Sequence, residues 1–178
     1  TLLTSFIWTM LLAMEACAEA GLRFIVLDRP NPIGGALREG AVLRRGFESF
    51  VGLHPIPLRH GLTCGELASW MNETRGIGGD LEVIEGKGWH RSMGWRDTGL
   101  PWVAPSPNLP TPESCLVYPG MVLLEGTNLS EGRGTTKPFE YFGAPYLNIE
   151  HLTDFLGQER LDGITIRPCH FEPTFQKY

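Results

Sequence analysis

Residues 24–28 (Phe-Ile-Val-Leu-Asp) form a continuous apolar run that ends in a carboxylate and follows a helical pattern after a short turn. An apolar run of this length is typical of a strand that is buried on both faces of a parallel sheet. A capping-box pattern at Thr63 and Glu66 then predicts a helix through about residue 72, and the alternating residues 81–85 predict a second strand. This order predicts an α/β layered fold, in which Asp28 lies at the strand end where such folds bind ligands.

The first twenty residues carry apolar side chains at steps of three and four, which predicts a core helix that ends at Gly21. A secretory signal peptide is the alternative, because residues 18–20 (Ala-Glu-Ala) resemble a cleavage site. Two features favour the core helix: the segment has no basic beginning, and Glu15 and Glu19 lie in its second half. It is also too short to span a membrane.

Glycine and proline distinguish the second half of the chain. Together they make up about a fifth of the 178 residues, where roughly 12% is usual. Six of the prolines lie between residues 101 and 119, which imposes extended segments and turns. We therefore expect two domains, 1–90 and 91–178. In the second, helices should begin after Thr111 and Asn148, and residues 164–167 should form a strand.

The charge and the cysteines exclude several classes of protein. A net charge of −5, without a run of Lys or Arg, argues against a nucleic-acid-binding protein. The four cysteines are 47 or more residues apart, so the chain has neither zinc-ribbon nor thioredoxin spacing. We expect four buried free thiols. His54 and His60 fall on one face of an extended segment, but no third ligand follows at motif spacing, so we predict no metal.

Two short motifs do not define a function by themselves. Asp97-Thr98-Gly99 matches the aspartic-protease triplet, but that chemistry requires two carboxylates and the chain has one copy, so a turn is favoured. Residues 126–136 are rich in glycine, but they lack the spacing and the Lys-Ser/Thr pair of a phosphate-binding loop. The assignment as a nucleotide-using enzyme would therefore rest on the layered fold alone, and a fold does not imply a function.

The loop formed by residues 125–136 is the segment with the most chemical functionality. It contains two carboxylates, a guanidinium, an amide and four hydroxyl groups, contributed by Glu125, Glu131, Arg133, Asn128, Thr127, Ser130, Thr135 and Thr136. Such a polar set suits a sugar, its glycines allow close approach to the backbone, and the guanidinium can hold a carboxylate with two hydrogen bonds. The alternative is a solvated loop that is held by its own hydrogen bonds.

Four separated motifs, in this order, resemble the exo-β-N-acetylmuramidase (NamZ) family, formerly a domain of unknown function. They are LDRPNPIGG (27–35), PIPLRHG (55–61), LPW with PSPN (100–108), and EGTN with GRGT (125–135). The resemblance runs through the whole chain. It implies the second half of a Rossmann-like domain, followed by the start of a smaller α+β domain, with the active site in the cleft between them.

The resemblance implies a glycoside hydrolase that releases N-acetylmuramic acid from the non-reducing ends of peptidoglycan fragments and uses no cofactor. Such hydrolysis usually requires two carboxyl groups, and we expect Glu125 and Glu131 to be carboxylates of the cleft. The expected substrate-holding residues are Asn31, Arg59, His60, Asn128 and Arg133, because muramic acid carries a lactyl carboxylate that a guanidinium can bind.

Several alternatives and expectations accompany this interpretation. Glu125 is alternatively a structural carboxylate that caps loop amides, and the protein is alternatively a non-catalytic carbohydrate-binding or structural relative. The family's Glu-His-Gly segment, with a catalytic carboxylate, should precede Thr1, so we expect this piece to be inactive alone. The expected partners are muramic acid saccharides derived from peptidoglycan, without nucleic acid or a membrane span. The substrate implies a secreted or periplasmic location.

Overall fold

The computed structural model describes residues 6–159 and 161–178, which form a mixed α/β structure with two small sheets. The helices and strands lie in the order α1 (Phe6–Glu19), β1 (Phe24–Leu27), β2 (Glu39–Val42), β3 (Pro57–Arg59), α2 (Cys64–Thr74), β4 (Leu81–Ile84), α3 (Pro112–Met121) and α4 (Ile149–Gln158). Two 3₁₀ turns, Trp95–Thr98 and Val122–Gly126, complete the described elements.

Strands β1 and β4 pair in parallel, from Phe24 opposite Leu81 to Leu27 opposite Ile84, which confirms the predicted parallel arrangement. Helices α1 and α2 pack on one face of this pair, where Val26 is buried against Met14 and Ala68. The prediction that β1 is buried on both faces is wrong for the described residues. Ile25 and Leu27 point to the other face and are 53% and 70% exposed, because both helices lie on the same side.

Helix α2 begins where the sequence predicts. The Thr63 hydroxyl accepts a hydrogen bond from the Glu66 backbone N–H (3.2 Å), and the Glu66 carboxylate accepts one from the Thr63 N–H (3.0 Å). This capping box satisfies two N–H groups that the first helical turn leaves without partners. It fixes the helix start beside the carboxyl end of β1.

The antiparallel pair of β2 and β3 was not predicted from the sequence. Glu39 lies opposite Arg59 and Val42 opposite Pro57, with an irregular register between them. The strands have four and three residues, too few for a clear alternating pattern. His54 contacts the Trp70 ring at 4.6 Å between centroids, whereas His60 is buried. Within the described ranges, no three His, Cys, Asp or Glu residues are arranged to hold a metal ion.

The second half of the chain keeps its predicted helix starts but not its predicted strand. Thr111 caps α3 with Pro112 at its first position, and Asn148 caps α4 by accepting from the His151 N–H (3.0 Å). The predicted strand 164–167 is wrong: these residues have no strand pairing, and Ile164 and Ile166 are exposed. A strand needs a neighbour to satisfy its backbone groups, and no described strand lies beside this segment.

One core cluster joins the two halves. Ile33, from the loop after β1, is buried with Leu109, Cys115 and Phe139. The expectation for the cysteines is right in one respect and wrong in another. All four are free thiols, but only Cys115 is buried, and Cys169 is exposed. No helix in the described part of the chain is long and apolar enough to cross a membrane.

Candidate functional site

Short backbone contacts give the 125–136 loop its shape. The 3₁₀ turn Val122–Gly126 is capped by Thr127, whose hydroxyl donates to the Leu124 carbonyl (2.8 Å). Ser130 and Gly143 exchange two backbone hydrogen bonds of 2.8 and 3.0 Å, and the Phe139 N–H donates to the Glu131 carbonyl (2.7 Å). These bonds fold the loop onto the Phe139 core, so Glu131 is only 3% exposed although its side chain is charged.

Arg133 lies between the two glutamates of this loop. Its Nε donates to Glu125 Oε1 (3.1 Å), its Nη2 donates to the same oxygen, and its Nε lies 3.2 Å from Glu131 Oε1. The guanidinium carbon also lies 5.0 Å from the centroid of the Phe139 ring. The structure therefore brings together Glu125, Glu131 and Arg133, three of the residues that the sequence singled out.

Lys177 reaches the same loop and was not predicted from the sequence. Its Nζ lies 3.2 Å from Glu131 Oε2, and it also donates to the backbone carbonyls of Leu124, Glu125 and Leu129. Each Glu131 oxygen thus faces a different cation. No motif surrounds Lys177, and 46 residues separate it from Glu131, so only the fold reveals the contact.

Asn128 is exposed at the outer side of the loop. Its backbone carbonyl accepts hydrogen bonds from the hydroxyl groups of Tyr146 (3.1 Å) and Tyr178 (2.9 Å). Below the loop, Tyr118 meets the Phe139 ring edge-on at 4.8 Å. Burial, reinforced by the charge of Glu125, raises the pKa of Tyr118 to about 12, so its hydroxyl stays protonated at neutral pH.

The remaining predicted residues form a second group, around the loop that follows β1. The Asn31 amide donates to the Leu62 carbonyl (3.0 Å) and its oxygen accepts from the Ile33 N–H (3.2 Å), whereas His60 Nδ1 accepts from the Leu62 N–H (3.1 Å). Arg59 pairs with Glu39 and donates to the Ile33 carbonyl (3.1 Å).

Asn31 and His60 are therefore buried and hydrogen-bonded to nearby backbone groups, while Arg59 is half-buried. Asn31 and Arg59 bind the backbone of Ile33, whose side chain packs in the same core cluster as Phe139. The substrate-holding roles of these residues stay predictions.

A small cavity of about 170 Å³ lies at the carboxyl ends of β1 and β4. Its lining includes Asp28, Arg29, Lys87 and Trp89. Asp28 Oδ1 accepts from the Gly65 N–H at the start of α2 (2.7 Å) and from the Arg29 N–H (2.9 Å). The position of Asp28 at a strand end is visible in the sequence, whereas Lys87 and Trp89 were not singled out.

The parallel strand pair with its covering helices defines a mixed α/β protein, and the 125–136 loop brings two glutamates and a guanidinium together. The family comparison is more specific. Residues 3–113 match the N-terminal model of the exo-β-N-acetylmuramidase NamZ, and residues 116–178 match the C-terminal model of the same family. The chain belongs to the NamZ family.

Related proteins agree with this assignment. The chain is 54% identical over 174 residues to the peptidoglycan β-N-acetylmuramidase NamZ of Bacillus subtilis strain 168; this match covers 98% of the chain and 42% of the relative. A DUF1343 family protein of Bacteroides fragilis NCTC 9343 superposes with a TM-score of 0.90 at 43% identity, covering 97% of this chain and 46% of that protein. A second DUF1343 family protein from the same strain superposes with a TM-score of 0.74 at 40% identity. This match covers 80% of this chain and 40% of that protein. The chain thus spans less than half of each relative.

Proposed function

We propose that the complete protein hydrolyses a β-1,4 glycosidic bond and releases N-acetylmuramic acid from the non-reducing ends of peptidoglycan fragments, without a cofactor. The observation that carries this proposal is the grouping of Glu125, Glu131 and Arg133 in one loop of a NamZ-family chain. The expected organisation is a Rossmann-like domain to about residue 90 and a smaller α+β domain after it, with the substrate between them.

The loop provides the groups that such a reaction uses. Glycoside hydrolysis usually needs two carboxyl groups beside the bond, and Glu125 and Glu131 are the proposed pair. Arg133 holds the glutamates through Nε and Nη2. Its Nη1 makes no hydrogen bond to any described residue, so it is suited to the lactyl carboxylate of muramic acid. Asn128 in the same loop is exposed and carries an amide that suits sugar hydroxyls.

The proposal is tested in the complete protein with the disaccharide N-acetylmuramyl-β-1,4-N-acetylglucosamine as substrate. Glu125→Gln and Glu131→Gln keep the side-chain size but remove the charge, and each should lower the turnover by about 100-fold or more, as loss of a general acid–base group does. Glu82→Gln is the matched control, because Glu82 lies on β4 and forms an exposed ion pair with Arg23. Unchanged release of muramic acid by both loop variants would refute the roles of these two glutamates.

A non-catalytic carbohydrate-binding relative is the second candidate function. The burial of Glu131 favours it, because a carboxylate with both oxygens in ion pairs stabilises a loop without any chemistry. The two candidates differ in one feature of the parent gene, since only a hydrolase needs the upstream Glu-His-Gly segment. Binding of the disaccharide without release of muramic acid would support the second candidate.

We propose a secreted or periplasmic location, because the substrate lies in the cell wall.

A further inference from the structure

Four oxygen atoms of the 124–131 segment converge on the Lys177 ammonium group. Nζ lies 3.2 Å from the Leu124 carbonyl, 3.1 Å from that of Glu125, 3.0 Å from that of Leu129 and 3.2 Å from Glu131 Oε2. An ammonium group has only three N–H donors, so these four acceptors share them. The loop therefore has the shape of a small cation site, and the side chain of Lys177 occupies it.

The residues around Lys177 hold its chain segment against the loop. The backbone N–H and the hydroxyl of Thr174 both donate to the Gly134 carbonyl at 3.0 Å. Gly134 has a φ of +82°, and a β-carbon there would lie 2.7 Å from the Phe175 carbonyl oxygen. The Tyr178 hydroxyl donates to the Asn128 carbonyl. The approach is too close for a side chain at Gly134, so the loop and segment 174–178 form one packed unit.

We propose that Lys177 is a positioning residue, which holds Glu131 and, through it, the Arg133 guanidinium in the geometry that binds and cleaves the sugar. This inference rests on the proposed function of the loop. Glu131 is 3% exposed, and its two oxygens are divided between Arg133 and Lys177. Removing one cation leaves a buried carboxylate with a single partner and three carbonyls without their donor, which is costly enough to move the loop.

The first test is Lys177→Met in the complete protein, which keeps much of the side-chain length but removes the charge and the donors. We expect kcat to fall by about 10- to 100-fold, the effect of a small misplacement of reacting groups. Lys137→Met is the matched control, since Lys137 forms an exposed ion pair with Glu140 in the same half of the chain. Equal kcat values for the two variants would overturn the inference.

Chemical rescue distinguishes positioning from general stabilisation. Lys177→Ala removes the three carbons and the ammonium group beyond the β-carbon, which together correspond to n-propylammonium. Added n-propylammonium should restore a large part of the lost kcat, whereas n-propanol, similar in size but uncharged, should not. If the folded variant regains no activity with n-propylammonium, or regains it equally with n-propanol, the ammonium group does not position the site.

Hydrogen exchange separates failure of this inference from failure of the proposed function. Amides of residues 124–134 should exchange faster in Lys177→Ala than in the wild type, those of α2 should not change, and n-propylammonium should slow the loop amides again. An inactive wild-type protein with this exchange pattern refutes the proposed hydrolysis but retains Lys177 as the anchor of the loop. An active wild-type protein in which loop exchange does not respond to Lys177→Ala refutes the anchor and retains the hydrolysis.

Discussion

Replacing Gly65 with Ala tests how closely helix α2 approaches the parallel strands at the candidate ligand edge. Gly65 lies in the first turn of α2, and its N–H donates to Asp28 Oδ1 at the end of β1 (2.7 Å). A β-carbon at this position would overlap the Val83 Cγ1 methyl group and would lie 3.0 Å from Asp28 Cγ. The substitution therefore adds one methyl group where the start of α2 packs against Val83 of β4 and Asp28 at the end of β1.

The expected cost follows from these contacts. Carbon atoms pack best at about 3.5–4.0 Å, so the helix start has to move by roughly an ångström, because the branched Val83 side chain rotates with difficulty. Overpacking of this kind costs about 1–3 kcal/mol, and the weakened bond to the Asp28 carboxylate adds about 1 kcal/mol or more. The higher helix propensity of Ala offsets about 1 kcal/mol of this loss in stability. We expect a net loss of about 1–3 kcal/mol in the free energy of unfolding.

Urea unfolding of the complete protein, with hydrogen exchange of the α2 amides, measures this loss. Gly120→Ala is the matched control: Gly120 lies in α3, and a β-carbon there would meet no atom within 4 Å. That variant should be neutral or slightly stabilised, because Ala restricts the unfolded chain. If Gly65→Ala unfolds at the same urea concentration as Gly120→Ala, α2 does not pack against Val83 and Asp28 as described.

Two further predictions concern the cap of α2 and the thiols. Thr63→Ala removes the side-chain half of the capping box and should lower the free energy of unfolding by about 1 kcal/mol, measured by urea unfolding; an unchanged midpoint would show that the cap contributes nothing. Cys115 is fully buried, so reagents cannot reach its thiol. Burial also raises the pKa of this thiol to about 12, so the thiol remains protonated at pH 8. Mass spectrometry after iodoacetamide treatment of the native protein should therefore find Cys169, which is exposed, modified and Cys115 intact, whereas rapid modification of Cys115 would contradict its burial.

The features that the sequence predicted correctly are mostly local ones. The capping box at Thr63 and the caps at Thr111 and Asn148 each join groups that are three residues apart. The local sequence therefore predicts them without knowledge of the fold. The parallel pairing of β1 and β4 follows from the helix between them. Such features are determined by residues close in sequence, so they can be predicted from the sequence.

The features that the sequence did not predict depend on distant partners. The segment 164–167 has the composition of a strand, but no described strand lies beside it. Ile25 and Leu27 have the composition of a buried strand, but both helices cover the opposite face. In the same way, the pairing of β2 with β3 is determined by contacts across 15 to 20 residues rather than by either short strand.

The candidate site shows the same division. Glu125, Glu131 and Arg133 lie within nine residues of one another, so the sequence could group them, and the structure does bring them together. Lys177 joins them only through the fold. Asn31 carries no sequence signal of its burial, because its amide partner, the Leu62 carbonyl, lies 31 residues away.

A structure of the complete protein with the muramic acid disaccharide bound tests the central claim most directly. The sugar should lie against the 125–136 loop, with its lactyl carboxylate within hydrogen-bonding distance of Arg133 or Arg59 and its glycosidic oxygen beside Glu125 or Glu131. A disaccharide bound elsewhere, without contact to this loop, would contradict the assignment of the site.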